Sequence, residues 1–107
     1  MSKTVFVSRH PGAVQWAMQH GLNIDTFIPH LDITCIQCGD TVIGTLPIEL
    51  AASVQSIGAR YRHLSLSVPA DRRGHELSAH ELDALGARLL DFDIRHTPHT
   101  PEGRMPS

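Results

Sequence analysis

The sequence predicts an α/β domain with a mostly parallel central sheet and right-handed crossovers. Three observations predict it. Short apolar strands alternate with amphipathic helical stretches, the pattern of helices crossing over a parallel sheet. Two of the strand-to-helix junctions share one grammar, a strand, a small polar turn and a proline near the first helical position: Val5-Phe6-Val7-Ser8-Arg9-His10-Pro11-Gly12 and Val42-Ile43-Gly44-Thr45-Leu46-Pro47. The chain has 107 residues, 41% hydrophobic and 19% charged, which is the size and composition of one globular domain.

Thr4 to Val7 reads as a short, fully buried strand. Pro11 to His20 reads as a helix, with Val14, Ala17 and Met18 at i, i+3, i+4 spacing and Gly21 at the C′ position. Asp25 to Leu31 is ambiguous, with a short strand at its centre. Asp32 to Gly39 is a connection, and Thr41 to Gly44 is a strand. Ile48 to Ile57 is helical, carrying Leu50, Ala51, Val54 and Ile57 as its apolar stripe, and Gly58 stops it. Tyr61 to Leu66 is a strand whose alternation sets Tyr61, His63 and Ser65 against Arg62, Leu64 and Leu66. Val68 to Leu77 is a polar loop. Ser78-Ala79-His80-Glu81 forms a capping box, with Leu77 and Leu82 at the staple positions. The helix it opens is expected to run from Ala79 to about Leu90, with Leu82, Leu85 and Leu89 inward. Asp91 to Arg95 is a candidate edge strand. The domain spans residues 1–96, and a flexible Pro-rich tail follows over 97–107.

Composition narrows the function. A formal net charge of −2 argues against a protein that holds long nucleic acids, which usually shows a basic stripe. A small anion in a locally basic pocket is compatible with it. Eight histidines are present, but without paired ligand spacing, so no metal or other cofactor is expected. Cys35-x-x-Cys38 has the form of half a zinc site or a redox pair, but no second pair supports it, and the two also read as small fillers or loop thiols. No secretory signal and no long apolar run occurs, so a cytoplasmic, reducing location away from membranes is expected. There is no Walker loop, no G-x-G-x-x-G after the first strand, no G-x-S-x-G elbow and no tight acidic cluster.

In parallel α/β sheets, ligands bind outside the carboxyl ends of the strands. The turn Ser8 to Gly12, the turn Gly44 to Pro47 and the strand end at Ser65 all fall on that edge, and the Arg72-Arg73 loop follows directly. A helix start aims amide N–H groups and a positive dipole end at its turn, which suits a phosphate. Arg9 offers a fork of donors to phosphate oxygens, or pairs with a surface carboxylate. His10 is a candidate proton-transfer group, or an ordinary turn residue ahead of Pro11. Ser8 and Thr45 can donate to an anion or cap helices. Arg72 and Arg73 are a weaker signal, since paired loop arginines are usually solvated. His63 reads as a core or interface histidine as readily as a ligand.

The order and spacing of Phe6-Val7-Ser8-Arg9-His10-Pro11-Gly12-Ala13, His30-Leu31-Asp32, Gly39 to Pro47, Ala59-Arg60-Tyr61 and His63 to Leu66 resemble a small CRISPR-associated family of type III systems, the Csx-sixteen family. The resemblance covers about residues 4–95. It implies a small Rossmann-like three-layer domain, a reduced relative of those that sense cyclic oligoadenylates, and a homodimer. The activity it implies is that of a ring nuclease, which opens cyclic tetra-adenylate and switches off the antiviral signal. A non-catalytic binder of the same messenger is the alternative. On such a ligand, position assigns Arg9 to phosphate, His10 to proton transfer and Ser8 to orienting the scissile phosphate. Pro11, Gly12 and Ser65 fall on the ligand edge, Gly44, Thr45 and Leu46 supply further donors, and Arg72 and Arg73 close over the ring.

Overall fold

The structure is a computed structural model and describes residues 2–67 and 76–95. It contains strands β1 (Thr4–Val7), β2 (Thr26–Ile28), β3 (Thr41–Gly44), β4 (Arg60–Ser65) and β5 (Arg88–Asp91). The helices are α1 (Pro11–Gln19), α2 (Ile48–Ser56) and α3 (Ala79–Ala84), with one 3-10 turn at Ile33–Cys35. The five strands form one sheet in the order β2-β1-β3-β4-β5. The first four are parallel, with Val5 opposite both Thr26 and Val42, and Thr41 opposite Arg60. β5 runs antiparallel along β4. This is the small Rossmann-like α/β architecture with helices on both faces.

The alternation of the strands sorts the core into two layers. Phe6, Ile43 and Leu64 face α1 and α3, where they meet Ala13, Trp16, Ala17, Ala79 and Leu82. Val5, Val42 and Tyr61 face α2, where they meet Ala51 and Val54. The inward stripe of α1 is thus Ala13, Trp16 and Ala17. Met18, placed inward by spacing alone, is 65% exposed, because the buried indole of Trp16 sets the helix rotation. At the far edge of the sheet, Asp40 is buried and accepts bonds from the amides of Lys3 and Gln37 and from Lys3 Nζ, tying β1 to β3.

The third helix is shorter than its pattern predicts. Its capping box is present: the Ser78 hydroxyl accepts from the Glu81 amide and Glu81 accepts from the Ser78 amide, both at 3.1 Å. It ends at Ala84, however, because Gly86 takes a left-handed conformation, φ +77°, as Gly21 and Gly58 do after the other two helices. Leu89 and Leu90 then belong to β5. The edge strand therefore exists, but at Arg88–Asp91 and not over the expected residues 91–95. Most of the polar loop expected after β4, and the Pro-rich tail, lie outside the described residues.

Candidate functional site

The strand order reverses between β1 and β3, since β2 lies to one side of β1 and β3, β4 and β5 lie to the other. The loops leaving two such strands diverge and open a crevice, the usual ligand position of doubly wound sheets. A cavity of about 390 Å³ occupies this place. Its floor is apolar, built from Val7, Ala13, Leu64, Leu66, Leu77 and Leu82. Its rim carries Ser8, Arg9 and His10 from the β1–α1 turn and Thr45 from the β3–α2 turn, with Gly44 and Pro29 completing it.

The β1–α1 turn is held by its own backbone. The Ser8 amide donates to the Ile28 carbonyl at 2.9 Å, and Ser8 Oγ accepts from the His10 amide at 3.1 Å. The hydroxyl thus acts as an acceptor inside the turn, and among the described residues its own proton is not taken up by another group. Arg9 is exposed, and among the described residues no carboxylate pairs with it. His10 is the N-cap of α1, but its ring makes no cap bond. Its carbonyl accepts the amides of Ala13 and Val14. Among the described residues, neither the imidazole nor the guanidinium at the mouth of this helix start is engaged by the fold.

The β3–α2 turn is pinned from two sides. Thr45 Oγ1 donates to the Leu64 carbonyl at 3.0 Å, and the Leu46 amide donates to the Tyr61 hydroxyl at 3.0 Å. Two groups expected to meet an anion are thus engaged by the fold itself. Gly44 approaches β1 so closely that a Cβ would lie 2.7 Å from the Val7 carbonyl oxygen. Gly12 is buried, and a Cβ there would lie 1.8 Å from the Leu77 carbonyl oxygen, so the missing side chain lets the segment before α3 cross α1.

Of the residues expected at the site, Ser8, Arg9, His10, Gly44 and Thr45 line one cavity. Pro11 starts α1, and Leu46 packs on the α2 side of the sheet. Ser65 shares a strand face with Tyr61 and His63, away from the cavity that Leu64 and Leu66 line. Arg72 and Arg73 lie outside the described residues. Sequence reasoning missed Pro29, which follows β2 as Ser8 follows β1, and the floor made by Leu77 and Leu82. The staple at the start of α3 was the signal for those two leucines. Elsewhere, Cys35 and Cys38 are free, exposed thiols. Among the described residues, no three His, Cys, Asp or Glu side chains converge to hold a metal ion, and no helix is long and apolar enough to cross a membrane.

Fold and site together define a doubly wound α/β protein with a small pocket at its strand-order reversal, apolar below and basic at the rim. The chain belongs to a CRISPR-associated family: the family model described as "Putative CRISPR-associated protein (Cas_VVA1548)" matches residues 5–95. Comparisons with curated proteins and with solved structures found no match.

Proposed function

We propose that the protein is a ring nuclease of the Csx-sixteen type, which binds cyclic tetra-adenylate in the cytoplasm and opens it, ending type III CRISPR signalling. The observation that carries this reading is the convergence of Ser8, Arg9 and His10 on the rim of a cavity at the β1/β3 reversal. Membership in a CRISPR-associated family supports the biological setting. The apolar floor suits a base, and the basic rim suits the phosphate attached to it. A cavity of about 390 Å³ is at the small end for ligand pockets and takes one nucleotide unit, not a four-nucleotide ring. The rest of the ring extends beyond it. A homodimer, with a second pocket across its two-fold axis, matches a ligand that contains the same symmetry.

The chemistry asks little of the protein. The ribose 2′-oxygen attacks the adjacent phosphorus in line, and the bond from phosphorus to the 5′-oxygen breaks. The 2′-hydroxyl gives up its proton and the leaving 5′-oxygen takes one. Two such cleavages give two linear di-adenylates ending in 2′,3′-cyclic phosphate. Arg9 stabilises charge developing on the phosphoryl oxygens, the Ser8 hydroxyl orients them, and His10 handles the proton. No step needs a metal. A second reading, a binder that sequesters the messenger uncleaved, draws on one feature. Among the described residues, no carboxylate orients the His10 ring, as one commonly does for a catalytic histidine.

Incubation of the protein with cyclic tetra-adenylate in a chelator, followed by chromatography and mass analysis, tests both readings. Linear di-adenylate with a cyclic phosphate end is the expected product. Intact, retained ligand establishes the sequestering reading, and neither binding nor cleavage refutes both.

A further inference from the structure

Behind the β3–α2 turn lies a pair of side chains on the opposite face of the sheet from the cavity floor. Tyr61 is buried, and its Oη lies 3.0 Å from the Leu46 amide, 3.1 Å from the Gly44 carbonyl and 2.7 Å from His63 Nδ1. A phenol holds one proton and two acceptor sites. The Leu46 amide takes one acceptor site. The Gly44 carbonyl can only accept, and two oxygens at this distance with no proton between them repel. The phenolic proton therefore goes to Gly44, and the remaining acceptor site is filled by a proton on His63 Nδ1. The ring of His63 makes edge-on contacts with Tyr61 and with Phe92, at centroid separations of 5.9 and 5.6 Å.

We propose that His63 is a positioning residue for the pocket. Carrying its proton on Nδ1, it fixes the Tyr61 hydroxyl, which in turn holds the Gly44 carbonyl and the Leu46 amide on either side of Thr45 and so fixes the turn whose Gly44 and Thr45 line the cavity. Only the last step, from wall to ligand, rests on the functional reading above.

The tautomer can be read directly. In ¹⁵N-labelled protein above the ordinary titration range of histidine, long-range proton–nitrogen spectra are expected to show His63 protonated at Nδ1 and bare at Nε2. Tyr61→Phe is expected to return it to the commoner Nε2–H form. Deuterium exchange of the Leu46 amide is expected to speed up about tenfold in His63→Leu. In His63→Asn, whose amide donates from near the place of Nδ1, it should stay within about threefold of the parent protein. Affinity for cyclic tetra-adenylate is expected to fall in His63→Leu and to be rescued in His63→Asn. An Nε2-protonated His63 in the parent protein overturns the proposal, and so does a Leu46 amide indifferent to His63→Leu. A parent protein that ignores cyclic tetra-adenylate overturns the functional reading alone, because tautomer and exchange are measured without ligand.

Discussion

The guanidinium of Arg9 stands at the rim of the cavity with no carboxylate beside it among the described residues, so its charge is available to an anion. Arg9→Ala is expected to weaken binding or cleavage of cyclic tetra-adenylate by at least about tenfold, roughly 1.4 kcal/mol, with the fold intact by circular dichroism. Unchanged kinetics in a folded variant would remove the turn from the site. Gly12 illustrates the opposite case. Its place in the turn puts it on the expected ligand edge, and the structure gives it a packing role under the Leu77 carbonyl. Gly12→Ala is expected to lose about 1–3 kcal/mol of stability in urea titration, because backbone has to move to admit the methyl group. The polar side chains of the site were legible in the sequence because strand ends are marked by local patterning. The role of Gly12 was not, because its neighbour in space is 65 positions away in the chain.

Helix α3 shows how a start can be plain and an end hidden. Its capping box and hydrophobic staple are local signals, and both are realised, with Leu77 packed on the core that contains Leu82. Leu85 and Leu89 continue helical spacing past Ala84, yet Gly86 breaks the helix and hands the remaining leucines to β5. Spacing alone does not separate the two outcomes, because Leu89 packs against the same core from a strand. With only six residues, the helix leans on its cap. Ser78→Ala is expected to cost about 1 kcal/mol, measured as a lowered urea midpoint. The helix is also tied to α1, since Asp83 accepts from Trp16 Nε1 at 2.8 Å and lies 2.6 Å from His20 Nε2. These contacts, the His20 one foremost, hold the Asp83 carboxyl below its ordinary range.

The two ends of the sheet do different work. The carboxyl ends of the strands build the cavity, while the opposite edge is locked by Asp40. The amides of Lys3 and Gln37, followed by the Lys3 ammonium, hold the Asp40 carboxyl down at about 2, against an ordinary value of 3.8. A carboxylate depressed on folding stabilises above its unfolded value, and that contribution is lost as pH falls from 3.8 through about 2. Asp40→Asn is therefore expected to be less stable than the parent protein near neutrality, with the difference narrowing across that acid window. Urea titrations at stepped pH would show it, and a difference constant with pH would refute it. The parallel sheet and the edge that carries the cavity were legible from alternating periodicities. The lock was not, because Asp40 reads as one more polar residue before a strand until β1 is laid beside β3.

The chain's single tryptophan, Trp16, is 3% exposed. It lies one helical turn beyond Ala13 of the cavity floor, hydrogen-bonded to Asp83, with the His20 ring tilted against it at a centroid separation of 4.5 Å. The protein thus carries its own optical reporter. Emission from that one indole senses the seam on which the floor is built, so filling the cavity or loosening α3 can be followed in unlabelled protein, in real time and at low concentration.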